Sequence, residues 1–181
     1  MSEGSFYRST ERLIIRSAVL DDAEALAEAR STDFVMRYNL YEPCDAAQIK
    51  GELELYEHFV LISRATDAII GCVCVREDDL RYHMDSKCLQ AWLIYETAHQ
   101  GYMAEALAVV FEELFLQRGH ERLAIQILSQ NRASLRLAEK LGFEREGYLK
   151  RALRNKKDEV FDVVLFSLER EAYLEKRKHF E

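Results

Sequence analysis

The sequence predicts an α/β (α+β) protein built on a mixed, mostly antiparallel sheet of six to seven strands with helices on both faces. Three observations carry that prediction. Residues 59–63 and 69–75 are apolar, β-branched runs on either side of the polar stretch 64–68, the pattern of an antiparallel hairpin. A strand over 87–95, an amphipathic helix opening at Gly101 and a strand over 123–128 form a strand–helix–strand unit, which should be right-handed and locally parallel. The chain then closes with a helix over 131–141 and two strands, 143–152 and 160–168.

The remaining elements follow from local signals. Residues 11–17 read as a strand. Asp21-Asp22-Ala23-Glu24 is a capping box opening a helix to about Ser31, and Asp45-Ala46-Ala47-Gln48 opens a second helix towards Tyr56 after a loop around Pro43. The helix from Gly101 places Ala104, Leu107, Ala108, Phe111 and Phe115 at spacings of three and four, with Gly119 positioned to end it. Gly142 ends the helix after Asn131. The charged tail from Glu169 is expected to begin as helix and fray.

At 181 residues the chain reads as one domain, 1–181, large enough for its own core. Seven glycines and one proline argue against linkers or low complexity. A net charge of −7 disfavours nucleic acid and favours a cationic substrate, such as an amine or a basic protein tail. The polar stretch 1–8 lacks the apolar core of a signal peptide, and no apolar run approaches the ~20 residues of a membrane span, so a cytoplasmic location without a membrane partner is expected. Of the four cysteines, Cys72 and Cys74 sit two apart in a strand and read as core thiols, and nothing near them has metal-ligand spacing, so no metal is expected. Monomer and homodimer both remain open.

Function points to Gln100-Gly101-Tyr102-Met103-Ala104-Glu105-Ala106-Leu107. A glycine opening a helix directly after an apolar strand presents unpaired N–H groups and the positive end of a helix dipole, a seat for phosphate. There is no Gly-x-x-x-x-Gly-Lys-Ser/Thr, and Gly101 lacks the partner glycines of a dinucleotide-binding turn. Further on come Asn131-Arg132-Ala133-Ser134 and Glu139-Lys140-Leu141-Gly142-Phe143. Read on their own, Asn131 is a helix N-cap, Ser134 a first-turn residue, Gly142 a C-cap and Phe143 a core anchor.

Residues 101–107, together with 131–149 and Asp162-Val163-Val164-Leu165-Phe166-Ser167-Leu168, resemble the GNAT superfamily of acyl-CoA-dependent N-acetyltransferases. The resemblance runs from Arg12 to about Glu171 and leans to the ribosomal-protein alanine/serine N-terminal acetyltransferases. It implies that the backbone of His99, Gln100, Gly101, Tyr102, Met103 and Ala104 holds the pyrophosphate of acetyl-CoA, as cosubstrate. It implies too that Asn131 reaches the pantetheine arm, that Ser134 sits beside the sulfur, and that amides near Trp92, Leu93 and Ile94 orient the acyl group; Trp92 is otherwise a core aromatic. The family's turn reads Arg/Gln-x-x-Gly-x-Gly/Ala. This chain departs from it with Ala98, His99 and Met103, which removes one phosphate contact and leaves a non-glycine where φ > 0 is often needed. Ala138 stands where many relatives carry a tyrosine acid, a role the resemblance passes to the Ser134 hydroxyl. Arg132, Arg136 and Lys140 form a basic stripe, either a solvated helix face or contacts for the 3′-phosphate.

Acyl transfer to nitrogen needs a neutral amine. With pKa values of ~8 for an α-amine and ~10.4 for lysine, roughly a tenth of the first and under a thousandth of the second is neutral at pH 7. A site without a strong base therefore serves a protein N-terminal α-amine more easily. Glu57 and His58 are the first candidates for that base, followed by Glu77, Asp78 and Asp85, each of which also reads as a solvated charge. The two alternatives are a small-molecule amine (polyamine, amino acid, antibiotic) as acceptor, and an acyl-CoA-binding protein without turnover.

Overall fold

The computed structural model describes residues 6–178, so part of the polar stretch 1–8 and the end of the tail, where fraying is expected, lie outside the described residues. The chain divides into two compact units, residues 1–75 with 91–109 and residues 76–90 with 110–181.

In the first unit, β1 (Tyr7–Ser9), β2 (Leu13–Ser17), β3 (Glu57–Ser63) and the start of β4 (Ile69–Glu77) pair antiparallel in sequence order. The predicted hairpin is β3–β4. Phe59, Val60, Leu61 and Val73 are all fully buried, so β3 is apolar without alternation: it is covered on both faces. Every second residue of the hairpin, Val60 and Ile62 with Cys72, joins a cluster with Ala23, Leu26, Val35, Ile49 and Trp92. Apart from Trp92, these come from α1 (Ala23–Arg30), α2 (Asp33–Asn39) and α3 (Ala46–Leu55). The capping box at Asp45 forms as expected, with Asp45 Oδ1 accepting from the Gln48 amide at 2.9 Å and Gln48 Oε1 from the Asp45 amide at 3.0 Å.

The first capping box does not form as read. Asp22 makes no side-chain cap to α1. Its carboxylate accepts two bonds from Arg16, at 2.7 and 2.8 Å, and one from the Val19 amide at 2.8 Å. The buried Asp22 carboxylate goes to a charged guanidinium in preference to a solvated helix end. Arg30 is likewise buried, held bidentately by Glu52 at 2.5 and 2.9 Å and lying over the Tyr41 ring.

In the second unit, β5 (Ser86–Leu93, which ends in the first unit) pairs parallel with β6 (Arg122–Leu128), matching Ser86 with Arg122 and Leu89 with Ile125. β8 (Val160–Glu169) lies antiparallel to β6 on one side and to β7 (Glu144–Arg154) on the other. The strand–helix–strand reading thus produces the expected parallel pair. There are eight described strands where six to seven were expected; the addition, β1, is three residues long and too short to carry a pattern.

α4 (Tyr102–Phe111) continues into a π-helical stretch, Glu112–Gln117, where the Arg118 amide bonds the Glu113 carbonyl. Gly119, at φ +76°, ends it as expected. Its inward face is Ala106, Leu107, Val110, Phe111, Leu114 and Phe115; Ala108, read as part of that face, is exposed. α5 (Arg132–Leu141) ends at Gly142 with φ +96°. α6 (Arg170–Lys178) follows, with Tyr173 stacked 5.0 Å from Phe115 and Lys176 Nζ donating to the Gly142 carbonyl.

Arg16 and the Val19 amide hold the Asp22 carboxyl below its usual range, although burial alone opposes this. A depressed folded pKa contributes stability that is full above the unfolded value of about 3.9 and disappears as pH falls through the lower folded value. Asp22→Asn should cost about 2–4 kcal/mol at pH 7 by leaving Arg16 unpaired. Urea titrations between pH 7 and 2 should find its acid loss of stability shallower than that of the wild type.

Candidate active site

Two stretches of the first unit build the candidate cradle. At the end of β5, Trp92 is buried, and the Ile94 amide donates to the Ile70 carbonyl at 2.9 Å. The Ile94 N–H is therefore committed to the sheet and is not available to an acyl oxygen, a correction to its expected share in that role. Gly71 on β4 faces this strand closely. A Cβ there would collide with the Trp92 carbonyl oxygen and lie 2.7 Å from Leu93 Cδ2. Only glycine permits the approach. Gly71's one signal in the sequence is its place inside an apolar strand run, which does not reveal the neighbouring strand that requires it.

After a 3-10 turn, Tyr95–Thr97, the Ala98 amide bonds the Tyr95 carbonyl at 3.1 Å. His99 then takes φ +61° and Gly101 φ +84°. His99 thus adopts the left-handed conformation the turn needs, without being glycine. Among the described residues, the six successive amides from His99 to Ala104 donate no hydrogen bond, and the Glu105 amide is the first to return to the helix, on the Gly101 carbonyl. A run of unpartnered N–H groups at a helix start suits a di-anion such as pyrophosphate, whatever side chains Ala98 and Met103 carry.

A second layer holds this turn. Glu105 Oε1 accepts from Thr10 Oγ1 at 2.5 Å and from the Arg12 amide at 3.2 Å, and Glu105 Oε2 accepts from Arg12 Nε at 2.7 Å. Arg12 Nη1 donates to the Gln100 carbonyl at 2.9 Å, and the guanidinium lies 4.3 Å from the centre of the Tyr102 ring. These donors outweigh desolvation and hold the Glu105 carboxyl below its usual range.

Glu57 and His58 open β3, half-buried. As consecutive strand residues they project to opposite faces, so at most one of them serves any single site. His58 Nδ1 is 3.0 Å from the Tyr56 carbonyl, and its own carbonyl accepts the Ala18 amide.

In the second unit, Asn131 caps α5. Its Oδ1 accepts the Ser134 amide at 3.1 Å, as the bare-residue reading of an N-cap expects. Ser134 is half-buried in the first turn of that helix, and Ala138 is buried. Arg132, Arg136 and Lys140 are exposed. Asp78 is a buried acceptor for Ser86 Oγ at 2.7 Å, Asp85 lies 2.7 Å from His120 Nδ1, and Glu77 pairs with Lys87. Glu77 and Asp85 are exposed, as their reading as solvated charges expects, whereas Asp78 is buried. Among the described residues no group of three or more His, Cys, Asp or Glu is placed to hold a metal, and no helix is long and apolar enough to cross a membrane.

This architecture is that of an acetyltransferase. Two solved structures similar to it are an acetyltransferase of the GNAT family from Bacillus anthracis (TM-score 0.78, 21% identity, 92% of this chain and 99% of that one) and a ribosomal-protein-S5-alanine acetyltransferase from Vibrio fischeri (TM-score 0.80, 20% identity, 93% and 98%). Among curated proteins, the uncharacterized N-acetyltransferase p20 of Bacillus licheniformis is 25% identical over 91% of this chain and 96% of its own, and YnaD of Bacillus subtilis is 26% identical over 88% and 95%. The acetyltransferase (GNAT) domain model matches residues 12–144. The chain belongs to that family and is an N-acetyltransferase.

Holding a non-glycine side chain at a left-handed φ costs about 1–2 kcal/mol. His99→Gly should relieve part of that strain, offset by the entropy of a new glycine, for a net gain of about 0.5–1 kcal/mol in chemical denaturation.

Proposed function

We propose that this enzyme transfers the acetyl group of acetyl-CoA directly to a protein N-terminal α-amine. The observation that carries the cosubstrate is the run of six unpartnered amides from His99 to Ala104 at the start of α4. Gly101 N–H and its neighbours hold the pyrophosphate, and Asn131, through the part of its carboxamide not spent on the helix cap, binds the pantetheine arm. The amide at Leu93, which points to the side opposite the Ile94 N–H, orients the thioester carbonyl and stabilises its oxyanion, the usual largest electrostatic contribution in acyl transfer.

The amine nitrogen attacks the thioester carbon, and the C–N bond forms as the C–S bond breaks. The amine proton passes to water or to one of Glu57 and His58, and Ser134 Oγ donates a proton to the leaving thiolate. No carboxylate or imidazole in the cradle stands out as a strong base, which suits the lower pKa of an α-amine. The name of the Vibrio fischeri neighbour, a ribosomal-protein-S5-alanine acetyltransferase, supports a protein acceptor.

Thiol release from acetyl-CoA, with N-terminal peptides and small amines assayed side by side, tests the reading. The expected result is release with peptides bearing a free α-amine and none with α-acetylated, lysine-bearing controls. Preferential turnover of polyamines or amino acids overturns the acceptor class. Ser134→Ala should lower kcat about 10²–10⁴-fold, the range of a lost general acid, with little change in acetyl-CoA affinity by calorimetry.

A further inference from the structure

The turn from Ala98 to Gly101 has only a methyl side chain at Ala98 and holds two residues at positive φ, His99 and Gly101. A turn of this kind needs something else to fix its peptide planes. The candidate is on the page but far away in sequence. Arg12, at the foot of β2, donates from Nη1 to the Gln100 carbonyl at 2.9 Å. Its other two nitrogens are spent on Glu105 Oε2, Nε at 2.7 Å and Nη2 at 2.5 Å. Glu105 is itself held by Thr10 Oγ1, and the guanidinium is braced on Tyr102.

Peptide geometry gives this contact its consequence. The Gln100 carbonyl and the Gly101 N–H belong to one planar trans unit and point in opposite directions. Fixing the carbonyl on Arg12 therefore aims the Gly101 N–H away from Arg12. Gly101, at φ +84°, would otherwise let that peptide rotate at small cost, because glycine accepts both signs of φ. Arg12 also lies beside the turn, with Nη2 3.5 Å from where a Cβ on Gly101 would stand, an ordinary van der Waals distance. The arginine is half spent on an anion, so its guanidinium is a brace more than a free positive charge.

We propose that Arg12, anchored by Glu105, is the positioning residue of the cradle: it sets the orientation of the Gln100–Gly101 peptide so that the Gly101 N–H faces the pyrophosphate. The inference rests on the acetyl-CoA reading above. Arg12 touches no reacting atom; it acts through the peptide it holds. Lysine in its place keeps the charge but cannot span Glu105 and the Gln100 carbonyl together.

The test compares two acetyl donors with one peptide acceptor. Acetyl-CoA carries the pyrophosphate; S-acetylpantetheine has the same thioester and arm without it. For Arg12→Lys, kcat/KM with acetyl-CoA should fall about tenfold, the scale of one charge-assisted hydrogen bond, through KM with kcat unchanged. With S-acetylpantetheine, kcat/KM should match the wild type. Thr10→Val, which loosens Glu105 while leaving Arg12 in place, should move acetyl-CoA in the same direction by about two- to threefold; it carries the test if Arg12→Lys does not fold. Equal losses with both donors would mean general damage and overturn the inference, as would no loss with acetyl-CoA. A wild-type enzyme that uses S-acetylpantetheine as well as acetyl-CoA would overturn it too, since no pyrophosphate would then be recognised. If the wild type turns over acetyl-CoA with no amine at all, the functional reading itself fails, and the inference with it.

Discussion

The Arg12–Glu105 pair is the interaction on which the candidate cradle depends. It joins a residue at the start of β2 to the first turn of α4, more than ninety positions later. With one carboxylate it satisfies Thr10, the Arg12 amide and the Arg12 guanidinium, and the guanidinium still has a donor left for the Gln100 carbonyl. Burial works against the charged carboxylate, and the donors more than compensate. The pair is consequently ionised across the neutral and mildly acidic range, and the turn keeps one arrangement there. An apolar substitute would pack the same space and leave the peptide plane undefined.

The first unit uses the same device twice more. Arg16 is fixed by Asp22 and Arg30 by Glu52, each bidentately, and Asp22 and Arg30 are buried. Buried ion pairs of this kind contribute little net stability over apolar packing, but removing one partner is expensive. Their use is geometric: each ties a helix to a strand or to another helix at one register. The aliphatic cluster of Val60, Ile62, Cys72 and Trp92 with α1–α3 supplies the burial that the pairs do not.

Much of this was legible in the sequence, and the failures have physical reasons. Continuous apolar runs gave β3, β4, β6 and β8, and local helix signals gave α5, to within about two residues, because burial demands apolar side chains along the whole strand. α2 has no sequence signal of its own: Asp33–Asn39 is seven residues with only Val35 fully buried, too short for a period to stand out. The box over 21–24 does not form because the buried Asp22 oxygens go to the charged donor within reach, Arg16, and to the Val19 amide. Asn131, by contrast, was readable as a cap from local spacing alone. The Arg12 contact carried no local signal, since it joins positions whose proximity exists only after folding. Gly71 and His99 were visible as residues but not as constraints. One is required by a neighbouring strand and the other by a left-handed turn.

Charge distribution bears on the choice of acceptor. The first unit holds 15 of the 32 acidic residues and 7 of the 25 basic ones, a balance of −8, whereas the second carries +1. A negative field draws an ammonium group in and raises the rate of encounter. The same field stabilises the ammonium form and so raises the amine's pKa, which works against the neutral nucleophile that the chemistry requires. Attraction and reactivity therefore oppose each other, and the penalty falls hardest on the amine that begins with the higher pKa. A lysine starting near ~10.4 loses the little neutral amine it has, while an α-amine near ~8 retains a usable fraction. The acceptor proposed above, an α-amine on a basic polypeptide, reconciles the two: the other charges of that polypeptide supply the attraction, and the terminal nitrogen supplies the nucleophile.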